Sequence, residues 1–572
     1  MQFFLRTPLL LAALCAAGTL LPPATANACG GFFCNAAQPV NQAAEGILFA
    51  DNGDGTITAV IQIQYQGPSK SFSWLLPISS VPKSDEDIGI ASNTAFQRLQ
   101  SATNPSYSLT LKVEGTCREP GGGSGCGSSS EDAAFAAGGP APHGQVDPSN
   151  DGVVVEASGV VGSFEWSVIS LDQSLVDPAS AAQEWLRANG YDVPSGAPAL
   201  LGPYLKQGLF LLALRLTKGA DSGSIRPIVL TYAGTQPSIP LKLTAVAANA
   251  DMGVLTWVLG NSRAVPVNYA SLELNEARIN WFNAASNYNA VVIDAANDAA
   301  GQGFVTEFSG RTGALAGRIW TAADEANWSG LNQSSSLTGG MFLQRAFQLY
   351  GQWDGFWDAT HVALSASADQ TFEGFKACPT CSTLQLSVAD YLARLDKFVI
   401  EPVRRVQRLI DAHPQITRLY TTLSADEMTL DPLFSFNEDL PNVNNVHTAE
   451  RVIVCNPAVE EFQAPWRIEL PQGGVVWGTA DQASAGSWPD ELSTLPPNRV
   501  ILHAAETGEG KVLEDNSTMI LAQLERYNSG KGAATASGGC AAGRGRSSGA
   551  WLAVALLGAA MLRRRRRLRR DE

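Results

Sequence analysis

The stretch Glu45-Gly-Ile-Leu-Phe-Ala50, Asp51-Asn-Gly-Asp-Gly55, Thr56-Ile-Thr-Ala-Val-Ile-Gln-Ile-Gln-Tyr-Gln66 decides the fold. In its last part Ile57, Ala59, Ile61, Ile63 and Tyr65 alternate with Thr58, Val60, Gln62 and Gln64. A period of two sends successive side chains to opposite faces, so the segment reads as a strand. Glu45–Ala50 reads as its partner strand, and the Asn-Gly and Asp-Gly pairs between them suit a tight hairpin. A calcium loop is the competing reading. It would need an acid where Ala50 stands and a glutamate where Ile61 stands. The residues present favour the turn.

Working outward, further strand-like runs are Ser71–Pro77, Tyr107–Glu114, Val153–Val155, Phe164–Leu171, Leu209–Thr217, Ile228–Tyr232, Leu241–Ala247 and Gly253–Leu259. Several are continuously apolar, as strands buried on both faces are. Helices are expected at Asn93–Gln100 and Ala179–Asn189, the second ended by Gly190. Residues 118–150 are rich in Gly, Ser, Ala and Pro and read as a flexible insert. Residues 29–275 thus read as a β-rich mixed domain. Residues 276–425 read as mainly helical, with Asn289–Asp298 and Leu384–Ala412 the clearest helices. In the latter, Val388, Tyr391, Leu392, Leu395, Phe398 and Val399 recur at helical spacing, and Pro402 is placed to kink or divide it. Residues 426–530 return to short strands such as Arg467–Leu470 and Arg499–His503. The expected fold class is α+β.

The chain has 572 residues, 39 Lys+Arg against 54 Asp+Glu, and a formal net charge of −15. Apolar residues are 45%, enough for sizeable cores and too many for a disordered chain. The acidic balance argues against a nucleic-acid binder, which needs a basic face. Both ends read as addresses. Arg6, the apolar run Leu9–Leu21 and Ala26-Asn-Ala28 form a signal over residues 1–28, cut after Ala28 by signal peptidase. Cleavage there leaves Cys29 first. Lipidation of Cys29 is the alternative, although Ala26 stands where a lipidation signal usually has an aliphatic residue. Residues 531–572 read as a linker and tail: Cys540, an apolar run Ala550–Leu562, then a basic cluster with Arg563, Arg564 and Arg565. The run would span about 20 Å as a helix, short for a permanent membrane crossing. The arginines would hold its end in the cytoplasm. Without residues 1–28 and 541–572 the body carries 29 bases and 52 acids, net −23, which argues against an anionic partner.

Nine cysteines stand at 15, 29, 34, 117, 126, 378, 381, 455 and 540. Export favours disulfides. Close spacing suggests Cys29–Cys34, Cys117–Cys126 and Cys378–Cys381, with Cys455 left over. If Cys29 is lipidated, Cys34 is free to pair with Cys455; spacing does not settle connectivity. Cys378-Pro-Thr-Cys381 also has thioredoxin-like spacing, so redox exchange stands beside a plain loop disulfide. Zinc would need a second pair nearby.

A set of motifs in fixed order carries a resemblance. Cys29-Gly-Gly-Phe-Phe-Cys34 follows the signal, Phe72-Ser-Trp-Leu-Leu-Pro77 follows two strands, and Glu184-Trp-Leu-Arg-Ala-Asn-Gly-Tyr191 precedes Tyr204. Ile225-Arg-Pro-Ile-Val-Leu-Thr-Tyr232 precedes Ile239-Pro-Leu-Lys-Leu-Thr244, and Thr417-Arg-Leu-Tyr-Thr-Thr422 leads to Glu427, Met428, Asp431 and Pro432. Together these resemble the bacterial family called domain of unknown function 2330, over most of 29–455. The resemblance implies an exported protein and brings no assigned activity and no catalytic residues. Separately, Gly538–Arg570 resembles the myxobacterial C-terminal sorting signal (MYXO-CTERM). That implies transient membrane anchoring, removal of the tail by a sorting protease, and display on the outer surface.

No His-Glu-x-x-His or Gly-x-x-x-x-Gly-Lys-Ser/Thr arrangement occurs, no Gly-x-Ser-x-Gly elbow joins a strand to a helix, and histidines 143, 361, 413, 447 and 503 are scattered. No catalytic residue can be named, though carboxylates are plentiful enough for an acid–base pair formed in space. Asp426, Glu427, Asp431, Glu438 and Asp439 lie close together in sequence. Ca²⁺ takes several carboxylate oxygens, so these are the metal candidates, beside a plain acidic loop. Trp353 and Trp357 would stack on sugars if exposed, or fill a core. The expected function is an exported, surface-anchored, non-catalytic protein for adhesion, envelope structure or ligand capture, its surface ligand unidentified. The alternatives are an exported hydrolase using paired carboxylates and a redox protein acting through Cys378 and Cys381.

Overall fold

The computed structural model describes residues 41–66, 73–118 except 85–86, 152–216 except 192 and 194–195, 225–363 except 247, 335–336 and 338, and 386–531. The signal with Ala28, Cys29, Cys34, Cys126, Cys378, Cys381 and the tail with Cys540, Arg563, Arg564 and Arg565 lie outside these residues. In chain order the strands are β1 Asn41–Asp51, β2 Thr56–Gln66, β3 Ser73–Ile78, β4 Ile88–Ile90, β5 Ser106–Glu114, β6 Val153–Val161, β7 Phe164–Leu171, β8 Phe210–Leu216, β9 Ile228–Ala233, β10 Ala248–Gly260, β11 Arg263–Pro266, β12 Ala270–Glu273, β13 Gly303–Arg311, β14 Gln415–Leu423, β15 Phe434–Asn437, β16 Val446–Val454, β17 Trp466–Glu469, β18 Val475–Gly478, β19 Arg499–Leu502 and β20 Lys511–Asp515.

β1 and β2 form the expected hairpin, with Phe49 opposite Ala59 and Ala50 opposite Thr58. In its turn Gly53 and Gly55 take φ of 73° and 85°, a left-handed backbone that costs glycine nothing in Cβ clashes. The turn uses its own acids: Asp51 accepts from the Gly53 amide and Asp54 from the Thr56 amide. The other edge of β1 pairs in parallel with β10. The hairpin therefore lies inside a ten-stranded sheet ordered β20-β19-β12-β13-β14-β10-β1-β2-β9-β4.

Both faces of this sheet are covered near its centre. Ile47 and Phe49 enter one core, Leu48 and Ala50 the other, which is why the run is continuously apolar. One face packs on the four-stranded sheet β3-β8-β7-β6 through Trp74, Leu76, Phe164, Val168, Leu212 and Leu214. Helices Pro178–Ala188 and Ala197–Lys206 cover the far side of that sheet. The opposite face of the large sheet carries helices Asn93–Thr103 and Glu401–Asp411 over Leu48, Val60 and Trp257. Next to them, helix Tyr288–Asp298 and the sheet β18-β17-β16-β5 share a core with Leu272 and Val305.

The fold is α+β, as expected. The large sheet draws strands from both sides of positions 275 and 425, so these positions do not separate structural units, and the described residues up to Tyr527 fall in one compact unit. β13 and β14 lie in the stretch expected to be mainly helical. Leu241–Thr244 is a short helix where a strand was expected; Pro240 before it has no N–H to give a ladder. The disulfide expectation changes as well. Cys117 pairs with Cys455 in place of Cys126, which also removes Cys455 from any pairing with Cys34. β5 and β16 run parallel with Glu114 opposite Val454, so both chains leave the sheet side by side and the cysteine Cα atoms come to 4.7 Å. Among the described residues no helix is long and apolar enough to cross a membrane; Ala550–Leu562 lies outside them.

Candidate functional site

The helical face of the large sheet is not sealed everywhere. Between helix Asn93–Thr103 and helix Tyr288–Asp298 a cavity of about 420 Å³ opens over β2, β1, β10 and β14. Its floor follows the cross-strand row Gln62, Gly46, Leu255, Tyr420. A Cβ on Gly253 would come within 3.0 Å of the Tyr420 hydroxyl, and one on Gly46 within 3.2 Å of Gln62 Oε1. Glycine at these two places keeps the floor open. The rim includes Ala284 and Ala285, both with left-handed backbone at φ 42° and 60°. Non-glycine residues hold this conformation only where the surroundings enforce it.

Charge enters the cavity through a bulge. Thr306 pairs with Leu419 and Phe308 with Arg418, which leaves Glu307 as the extra residue of β13. A bulge re-aims a side chain, and here it sets Glu307 beside Arg418. Arg418 Nε donates to Glu307 Oε2 at 2.5 Å, and both side chains are almost fully buried. Arg418 Nη1 donates to the Gln100 carbonyl and to Thr103 Oγ1, and the guanidinium lies over the Trp257 ring. The Tyr288 hydroxyl donates to Glu307 Oε1 at 2.7 Å, and the Tyr420 hydroxyl to Asn289 Oδ1 at 2.7 Å. Burial raises the Tyr288 phenol far above its ordinary range, with Glu307 adding to it, and pushes Tyr420 up to about 12. Both remain neutral donors at any physiological pH.

A second cavity of about 320 Å³ shares Pro105, Tyr107, Tyr288 and Glu307 with the first. On its wall Tyr107 and His447 stand opposite each other in the β5–β16 ladder and stack at 4.5 Å between centroids. His447 Nδ1 lies 3.0 Å from Glu276 Oε1. The Tyr107 phenol is raised by burial first, then by Glu276 and Glu307. The two cavities thus offer aromatic faces, neutral hydroxyls whose oxygens are fixed by donation to Glu307 and Asn289, and carboxylate acceptors held in position. Such a surface orients a small polar molecule.

A family model described as an uncharacterized protein conserved in bacteria (DUF2330) matches residues 23–322, just over half of the chain. The chain belongs to this family. No curated protein and no solved structure matches it. The DUF2330 match contains Glu45, Tyr107, Tyr288 and Glu307 of the cavities, whereas Arg418, Tyr420 and His447 lie beyond it. The motif Thr417–Thr422 also lies beyond it and supplies Arg418 and Tyr420 to the site.

The metal candidates do not converge. Asp431 accepts from the Tyr204 hydroxyl and the Lys242 amide, Glu427 from the Ser424 amide, and Asp439 from the Gly508 amide. Among the described residues no group of three or more His, Cys, Asp or Glu could hold a metal ion, so Asp426, Glu427 and Asp431 are loop acids and the Ca²⁺ expectation finds no ligand set. Trp353 and Trp357 are partly buried in a helical aromatic cluster with Tyr350, Phe347 and Phe356, not a sugar platform. Apart from Arg418 and Tyr420, which lie in the Thr417–Thr422 motif, the cavity residues belong to no short motif that would mark them. The one local signal was Arg418, a charge inside an otherwise strand-like run.

Proposed function

We propose that this DUF2330 protein is exported and captures a small polyhydroxylated ligand in its paired cavities on the outside of the bacterial cell. The observation that carries the reading is the buried set Tyr288–Glu307–Arg418 on the cavity wall. A charge pair this deep is held in one geometry by its surroundings, and such fixed polar groups among aromatic walls are what ligand orientation needs. The first cavity has the volume of a small-molecule site. Export is supported by Arg6, the run Leu9–Leu21 and Ala26–Ala28; surface display by Cys540, the apolar run and the arginine tail. Signal peptidase and a sorting protease are the processing partners this requires. Intact mass of surface-extracted protein tests it: a mature chain lacking the arginine tail is expected, and a peptide ending at Glu572 contradicts it.

Binding is tested by titration calorimetry with a panel of monosaccharides. Saturable heat that Tyr288→Phe and Tyr420→Phe both weaken supports capture; silence across the panel ends it. A second reading, an exported hydrolase, rests on the His447–Glu276 contact, since an imidazole held by a carboxylate is a general-base arrangement. Incubation with oligosaccharides decides it: product formed by the wild type and lost in Glu276→Gln would replace capture with turnover.

A further inference from the structure

We propose that the second cavity is an anion subsite, taking the carboxylate of an acidic sugar-like ligand on Arg263; this rests on the capture reading above. Three glutamates line that cavity, and each already touches a basic group. Glu307 binds Arg418 at 2.5 Å, Glu276 contacts His447 at 3.0 Å, and Glu273 lies 3.4 Å from Arg499. Arg263 lines the same cavity and forms no ion pair among the described residues. Its Nη1 donates to the Pro441 carbonyl at 3.1 Å and its Nη2 to Thr306 Oγ1 at 3.4 Å, while its buried Nε has no hydrogen-bond partner among the described residues. Ser271, only 4% exposed, lines the cavity too, and its hydroxyl also has no partner among the described residues.

A guanidinium taken out of water without a counter-ion is costly, and a buried hydroxyl without a partner adds to the cost. Burial pulls the Arg263 pKa below its ordinary value, an effect that nearby Glu273 partly offsets. A carboxylate is the acceptor both groups lack, because its two oxygens match the planar N–H fork and can accept from a hydroxyl. His503, on the same wall, places Nδ1 2.8 Å from the Glu509 carbonyl, which makes Nδ1 the protonated nitrogen. It is held neutral by burial and does not compete for the anion. The acidic net charge does not oppose this. A small anion responds to groups within roughly 8–10 Å at ordinary salt, not to the sum over the molecule. Pro105, Tyr107, Tyr288 and Glu307 line both cavities, so the proposed ligand has its hydroxyls on one side of these residues and its carboxylate on the other.

The test is calorimetric titration of the full chain with D-glucuronate, D-glucose and sodium acetate at matched ionic strength, for wild type, Arg263→Met and Arg263→Lys. Glucuronate is expected to bind the wild type about tenfold more tightly than glucose, a factor worth about 1.4 kcal/mol. Arg263→Met should erase that preference while glucose still gives saturable heat; Arg263→Lys, which keeps the charge and loses the fork, should retain part of it. Equal binding of the two sugars by the wild type would leave capture standing and overturn the anion subsite. So would a full preference in either folded variant, or acetate heat that no variant alters. If neither sugar binds, the capture reading itself has failed.

Discussion

Arg418 stands in the middle of a sheet with 5% of its side chain exposed, where an apolar residue would be the ordinary choice. Its charge is tolerable because Glu307, the Gln100 carbonyl and Thr103 Oγ1 accept its hydrogen bonds and the Trp257 ring lies beneath it. Breaking such a pair leaves an uncompensated charge and costs about 3–5 kcal/mol, whereas removing both partners costs much less. Glu307→Gln should therefore lower the urea unfolding free energy by about 3–5 kcal/mol, and Glu307→Gln with Arg418→Met should recover most of it. Equal losses in single and double variants would show that the pair is not coupled. His503 gives a second test at this scale. Its folded-state pKa is depressed, so the folded chain takes its proton less readily than the unfolded chain. Its contribution is complete above the unfolded value of 6.5 and is lost as pH falls beneath it. The stability lost between about pH 7.5 and pH 5.5 should shrink in His503→Gln. An identical loss in variant and wild type would refute this.

Secondary elements show where sequence patterning reaches and where it stops. The hairpin β1–β2 was legible because Ile57, Ala59 and Ile61 alternate and the glycines mark the turn. The helical stripe of Leu384–Ala412 was legible for the same local reason, and Pro402 does alter it. Proline has no N–H, so the Phe398 carbonyl loses its partner four residues on. The helix does not break; it widens into a π-turn at Asp396–Ile400 between Val388–Leu395 and Glu401–Asp411. Buried Arg226 donates to the freed Phe398 carbonyl at 2.5 Å, and its Nε pairs with Asp354 at 3.2 Å. Asp354 in turn accepts from Ser92 Oγ and the Asn93 amide at the start of helix Asn93–Thr103. One arginine therefore ties together the two helices that cover the sheet. β13 and β14 were less legible, because Glu307, Thr417 and Arg418 interrupt the apolar pattern where the site and its supports are built. Arg226→Met should cost about 3–5 kcal/mol, since it strands Asp354 beneath the helices. Hydrogen exchange should quicken in residues 93–103 and 388–411 well before β1 and β2. Uniform quickening would mean that Arg226 acts on the whole fold and not on this junction.

At the scale of the molecule, contacts far apart in sequence do the work that no local pattern records. Tyr107 and His447 are neighbours only because β5 and β16 pair in parallel, and Arg418 meets Glu307 only because β13 and β14 pair. Local spacing cannot reveal such pairings, which is why the carboxylates of the site could not be chosen from sequence and why Cys117 was matched to its nearest cysteine. The observed bridge joins residues 338 apart and closes the end of the β5–β16 ladder. Constraining so long a loop lowers the entropy of the unfolded chain, worth roughly 5–6 kcal/mol by the loop-length relation, of which engineered and native bridges often deliver less. Peptide mapping without reductant should recover a Cys117–Cys455 peptide; a Cys117–Cys126 peptide would contradict the fold in this region. Cys455→Ser should lower the unfolding free energy by about 2–5 kcal/mol. The same ladder carries Tyr107 and His447 on the wall of the second cavity. Loss of the bridge should therefore weaken glucuronate binding more than glucose binding, because the ladder carries His447, which lines the second cavity alone, whereas the floor of the first lies on β1 and β10. If Cys455→Ser weakens both sugars equally, the bridge supports the fold as a whole and not this wall.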